Sequence, residues 1–286
     1  IVAMGVAAMQ VVANPYVNRL GEAQSAAGRL SLASSINSLG AALAPVVLAV
    51  VLAGSVISVP GMYLGLMLVG GILLVALYRF SIADFRDAHE NIFSAIRALR
   101  RYAQFRTGVS GILVYVGVEV SMGTTALSYL HDPSLGGFSL AQATSFIALY
   151  WGGALAGRFL YGLLAHCCRP QLLFCLCSSG AVLLTVAAIV FANRFGGYCL
   201  LATGLMNSVM YPIIFSRTLS GLDRYAASIS ACLIMAGIGG GVLPFFYRMV
   251  IDAIGLRLSF WVPVIGYLFL LLNGFKLYAR TEVFCE

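Results

Sequence analysis

The sequence is poor in charge and poorer still in acid. Only 9% of its 286 residues are charged and ten are acidic, against about 25% charged residues in a soluble domain. That deficit excludes a water-soluble globular fold. With it goes the reading of the +7 net charge as a nucleic-acid footprint. The three histidines, His89, His131 and His166, are scattered, and none stands at zinc-type spacing from a cysteine. Neither a metal centre nor a nucleophile with its base is legible, so an enzyme is not expected. The seven cysteines lie mostly in or beside apolar runs, Cys167-Cys168 and Cys175-x-Cys177 included, and read as small buried hydrophobes. The opening IVAMGVAAMQVVA lacks the charged n-region and cleavage site of a signal peptide. It reads as the inside of a membrane helix, so the chain is expected to be a fragment lacking upstream segments.

What is abundant is apolar length: 61% of residues are hydrophobic and the mean hydropathy is +0.96. Runs long enough to cross a bilayer of about 30 Å, separated by charged or Gly/Pro punctuation, predict nine spans. They fall at about 1–18, 33–56, 60–80, 108–130, 139–163, 170–192, 196–219, 226–249 and 258–280. Alternate loops divide the 17 Lys and Arg unevenly. One side has 14 of them, and the other only Arg194, Arg248 and Arg257. By the positive-inside rule the rich side is cytoplasmic.

Residues 79–106 form the longest polar stretch, with Ile92, Phe93, Ile96 and Leu99 spaced like one face of an amphipathic helix. Arg97, Arg100 and Arg101 suit anionic headgroups, or equally a solvated linker. A domain boundary is placed here.

The chain also repeats itself. Gln10 and Pro15 in the first span are matched by Asn207 and Pro212 in the seventh, an offset of 197 residues. Each is followed by a short basic loop and a span with glycines and a late proline, Pro45 or Pro244. Internal repeats flanking a midplane site mark secondary transporters. Glu119 stands alone among the acids: the other nine lie in loops, at helix ends or in the tail, while it occupies the middle of span 108–130. An acid there tends to mark an ion or substrate pathway.

Five segments carry a family resemblance: QVVANPYVNRLG (Gln10–Gly21), RLSLASSINSLGAALAP (Arg29–Pro45), YVGVEVSMG (Tyr115–Gly123), LYWGGALAGRFLYG (Leu149–Gly162) and MYPIIFS (Met210–Ser216). Together they resemble the major facilitator superfamily, in its branch of fucose permeases and glucose/galactose transporters. The resemblance implies an all-α integral membrane bundle. Its nine helices would correspond to helices four to twelve of twelve, with helices one to three absent. Residues 1–80 would be the second half of the N-terminal domain, 81–107 the cytoplasmic linker and 108–286 the six-helix C-terminal domain. Fucose permeases have Glu where this chain has Gln10, and an uncharged residue where it has Glu119. The pair therefore looks closer to the glucose/galactose side.

The implied function is ion-coupled transport of a hexose across the inner membrane by a monomer. No cofactor is expected beyond a coupling proton or sodium ion. The alternatives are a carrier of fucose or a non-sugar solute, or an inactive fragment of such a carrier. A sugar site needs amides for hydroxyls and aromatic faces for the ring. Gln10, Asn14, Asn37 and Asn207 supply the amides, and Tyr115, Trp151 and Tyr211 the rings. Interhelical hydrogen bonding is the competing role for the amides. Glu119 has three open roles: sugar ligand, ion carrier, or partner of an arginine. Arg158, with Gly157 and Gly162, is expected in the conformational machinery near the cytoplasmic turn.

Overall fold

The computed structural model of the protein describes residues 2–53, 58–79 and 92–279. The expected linker is therefore described only from residue 92, and Arg280 and the tail lie outside the described residues. The described chain is helical: α1 (Val2–Arg19), α2 (Ala26–Ala53), α3 (Val59–Arg79), α4 (Ile92–Leu99), α5 (Ala103–His131), α6 (Leu140–Leu164) and α7 (Pro170–Phe191). After these come α8 (Arg194–Asn207), α9 (Met210–Leu219), α10 (Ala226–Ala236), α11 (Gly239–Ile254), α12 (Leu256–Ser259) and α13 (Trp261–Ala279). Seven stretches among the described residues are long and apolar enough to span a membrane. α1 and α2 lie where the other two spans are expected.

The last three spans differ from the expectation, because each is broken into two helices. α8 and α9 part at Ser208-Val209, α10 and α11 at Gly237-Ile238, and α12 and α13 at Phe260. The cause is local. Proline cannot donate to the carbonyl four residues back, and its ring crowds that carbonyl. Pro212 lies four residues beyond Ser208, and Pro263 four beyond Ser259. The second break falls in a glycine run, Gly237 to Gly241, where helix propensity is poor.

Two compact units are present. One combines everything up to Ile36 with the elements from α4 onward, and the other runs from Asn37 through α3. In the smaller unit, Leu64, Met67, Ile72 and Leu74 are more than half exposed, as suits a surface meeting hydrocarbon. In the larger unit, α6 packs on α8, α7 on α8 and α13, and α5 on α9, α11 and α13. Glycine allows these contacts. A Cβ on Gly204 of α8 would lie 2.0 Å from the Tyr150 carbonyl oxygen of α6, and one on Gly239 of α11 would lie 1.9 Å from that of Leu113 in α5. Close approach of backbones through small residues is how membrane helices associate when water supplies no driving force.

The internal repeat is visible in the backbone. α1 and α9 each end in a turn at a positive-φ glycine, Gly21 (φ 82°) or Gly221 (φ 73°). Each turn leads through a short 3-10 segment, Ala23–Ser25 or Asp223–Tyr225, into the next helix. The carbonyls left open at these helix ends are met by side chains. Arg29 donates to those of Asn18 and Glu22 at 3.0 and 2.9 Å, and Gln104 to those of Arg217 and Ser220 at 2.6 and 2.8 Å.

α4 has the amphipathic character read from the sequence, with a buried side that includes Leu99 of the expected face but not Phe93. Ala95 and Leu99 are fully buried, whereas Phe93 is 78% exposed. The helix packs against α10.

Candidate functional site

The site is built on α5, α6 and α8, and begins at Glu119. Its carboxylate Oε1 accepts from Arg158 Nη2 at 2.9 Å, and the two side chains are only 12% and 13% exposed. Glu119 lies mid-way along α5, and Arg158 two turns from the end of α6. The long guanidinium arm reaches inward to meet the acid. Arg158, expected near the turn as gating machinery, is thus also the ion-pair partner of the candidate coupling residue.

A closed ring of hydrogen bonds surrounds the pair. The Tyr150 hydroxyl donates to the Glu119 backbone carbonyl at 2.9 Å. The Asn207 amide donates to the Tyr150 hydroxyl at 2.9 Å, and the Tyr115 hydroxyl donates to the Asn207 carbonyl at 3.0 Å. Arg158 Nη2 closes the ring on the Tyr115 hydroxyl at 3.5 Å. Tyr115, Tyr150 and Asn207 are almost wholly buried. A buried charge pair survives where its remaining donors and acceptors are met, and in this ring the Tyr115 hydroxyl meets one of the guanidinium's donors.

Arg158 has one further task. Its Nε donates to the Ser208 carbonyl at 3.3 Å, the carbonyl that Pro212 leaves without its helical donor. One guanidinium therefore joins the mid-helix acid to the break between α8 and α9.

The remaining expected residues divide. Asn14 donates to the Tyr211 hydroxyl at 3.3 Å, and Tyr211 lies 6.3 Å from Tyr115, ring centre to centre. Asn14 and Tyr211 thereby extend the cluster to α1. Gln10 is half-buried, one helical turn before Asn14. Trp151 is 37% exposed and meets the Tyr150 ring edge-on at 5.1 Å. Its indole packs over Gly123, where a Cβ would come within 2.8 Å. Asn37 is exposed and belongs to the smaller unit, so it is described apart from this cluster.

Gly157 and Gly162 are contact points. A Cβ on Gly157 would sit 2.2 Å from Ser208 Oγ, and one on Gly162 would sit 2.8 Å from Leu32 Cβ. Beside Gly162, a Cβ on Gly28 would meet that of Ala165 at 2.2 Å, and Ser31 Oγ donates to the Arg158 carbonyl at 2.8 Å. The first turns of α2 thus rest directly on the end of α6.

No protein-family model matches the chain. The glucose/galactose transporter of Brucella abortus is 32% identical over 284 residues, which span 96% of this chain and 69% of that protein. The chain belongs to the glucose/galactose transporter family. The L-fucose-proton symporter of Haemophilus influenzae is 26% identical over 314 residues, covering 96% of this chain and 73% of that one. The crystal structure of the Escherichia coli fucose:proton symporter FucP superposes with a TM-score of 0.84 at 21% identity, over 96% of this chain and 74% of that one. The family fold is that of the major facilitator superfamily, and the chain is a multi-pass membrane protein.

Sequence reasoning passes over three members of this transporter's polar cluster: Tyr150, Ser208 and Ser31. Ser208 is open to discovery, since counting back four from Pro212 finds the orphaned carbonyl. Tyr150 and Ser31 have no local signal. Their partners are 31 and 127 residues away.

Proposed function

We propose that this protein carries a hexose of the glucose/galactose type across the inner membrane, coupled to a proton or sodium gradient, by alternating access. The observation that carries the reading is the Glu119–Arg158 pair, set among buried tyrosines beside a broken helix. A carboxylate that changes partner or charge there alters the hold on Arg158, and with it the hold on the Ser208 carbonyl. Occupancy of one group is thereby linked to helix geometry, as coupling requires. The substrate class rests on the relatives that transport glucose, galactose or fucose by name.

Gln10, Asn14 and Tyr211 offer hydroxyl-binding groups on one side, and Trp151 an apolar face. Glu119 and Arg158 are the coupling element. Asn37 remains a sugar-binding candidate from its amide chemistry. The arginine-rich ends of the helices are assigned to the cytoplasm, together with the 81–107 linker and the C-terminus. No catalytic residue or further cofactor is invoked, and a monomer suffices.

The test is uptake of labelled glucose, galactose and fucose by cells expressing the protein, with the proton and sodium gradients collapsed separately. Accumulation of glucose or galactose that fails when one gradient is removed is the expected result. Well-folded protein that takes up none of the three sugars would remove the substrate reading. Accumulation that persists without either gradient would remove the coupling.

A further inference from the structure

The two repeat-related prolines free two carbonyls, and the structure answers them differently. Pro212 frees the Ser208 carbonyl, which Arg158 meets from α6 within the same sequence half. Pro15, 197 residues earlier, frees the Val11 carbonyl of α1. Its donor comes from the other sequence half: Ser230 Oγ of α10, at 2.8 Å. Ser230 is completely buried, and α1 packs along α10. The neighbouring contacts of residues 1–36 with the later helices lie toward the same arginine-rich helix ends. They are Arg19 with Asp223, the first turns of α2 with α6, and Asn14 with Tyr211.

A carbonyl inside a membrane bundle without a donor is costly. In α1 the backbone has no donor to return to, because residue 15 has no N–H. Separating α1 from α10 therefore strips Val11 of the group that meets it. An ordinary helix would not incur that loss, since its carbonyls are met within the helix. The proline converts a helix-internal bond into a bond between the first and last thirds of the chain.

We propose that Ser230 is a positioning residue of the transport cycle, latching α10 to α1 through the Val11 carbonyl and releasing it whenever the arginine-rich end opens. The role of the latch in transport rests on the alternating-access reading above. The latch itself is testable without any sugar.

Cys168 provides the readout. It is half-buried and lines a cleft of about 540 Å³ between residues 22–27 and the α6–α7 turn, so parting the two sides uncovers it. The rate of Cys168 alkylation would be followed by peptide mass spectrometry, with a membrane-impermeant maleimide applied to inside-out vesicles. An interhelical bond in a membrane is worth a factor of about 3 to 20 in such an equilibrium. Ser230→Ala is expected to raise the rate about threefold to tenfold, and Ser230→Thr, which keeps the hydroxyl, to restore it.

The decisive variant is Pro15→Ala, which gives residue 15 an N–H for the Val11 carbonyl. In that background Ser230→Ala should no longer change the rate. An equal acceleration in both backgrounds, or none in either, overturns the latch. A mere packing role for Ser230 predicts the former. Should the alkylation pattern hold while no sugar is transported, the latch stands and the substrate reading falls. If Ser230→Ala misfolds, the comparison of Ser230→Thr with the parent decides: a labelling change of more than about threefold, despite the hydroxyl, overturns the proposal.

Discussion

Arg158 ties together two groups of different kind, with Nη2 on the Glu119 carboxylate at 2.9 Å and Nε on the Ser208 carbonyl at 3.3 Å. The first partner is charged and the second is a neutral carbonyl left open by Pro212, so the two contacts differ in what disturbs them. Neutralising Glu119 weakens the first directly and reaches the second only through the position of the shared guanidinium.

That double contact needs a planar fork, which lysine lacks. Arg158→Lys should keep the charge but lose one of the two bonds, and lower labelled-sugar uptake at least tenfold at normal expression. Arg158→Ala should also leave Glu119 buried and unpaired, at a cost of about 3–5 kcal/mol. The double variant Glu119→Gln with Arg158→Gln should be more thermostable than Arg158→Ala in a fluorescence size-exclusion assay. If it is less stable, the pair contributes by packing and not by charge.

Pro212→Ala supplies the missing N–H for the Ser208 carbonyl and removes the ring that opens the helix. A proline within a continuous helix costs about 3 kcal/mol, a cost largely relieved by the break that leaves Pro212 in the first turn of α9. The variant should therefore melt at the same temperature as the parent or higher, while transport falls severalfold. Unchanged transport would separate the helix break from function.

Gly204→Ala places a methyl 2.0 Å from the Tyr150 carbonyl oxygen, against backbone that has no side-chain freedom to yield. Overpacking of this kind costs about 1–3 kcal/mol, so the variant should melt several degrees lower. Gly241→Ala is the matched control, since a Cβ there meets nothing within 4 Å. It should leave the melting temperature unchanged or slightly higher.

Only two tryptophans are present, so Trp261→Phe leaves Trp151 as the sole indole. If Trp151 faces the sugar, titrating galactose should change its fluorescence, and Trp151→Phe should retain more uptake than Trp151→Ala. A flat titration in transport-competent protein would remove Trp151 from the site.

Much of this architecture is legible in the sequence, because membrane helices announce themselves by length and apolarity. The beginning of α7 at Pro170 and the end of α9 at Leu219 both fall where the runs predict. The isolation of Glu119 among the acids likewise singles it out from the amino-acid pattern alone. Its partner is harder to find. Arg158 lies 39 residues away and near a helix end, where arginines commonly meet headgroups. Only the crossing of α5 and α6 shows that its arm turns inward. The helix breaks are half-visible: Pro212 and the Gly237–Gly241 run mark places where the backbone loosens, but which groups answer the freed carbonyls depends on packing. Ser230 illustrates this. It looks like any small polar residue in a span until α1 is laid against α10.

The pairing of Glu119 with Arg158 is most directly tested by comparing net accumulation with sugar exchange in vesicles containing the parent or Glu119→Gln. If the carboxylate couples transport to an ion gradient, Glu119→Gln should exchange labelled for unlabelled sugar at a rate within a few-fold of the parent but fail to accumulate it against a gradient. Full accumulation by Glu119→Gln, with the same dependence on the gradient as the parent, would contradict the coupling role and leave the ion pair a structural one.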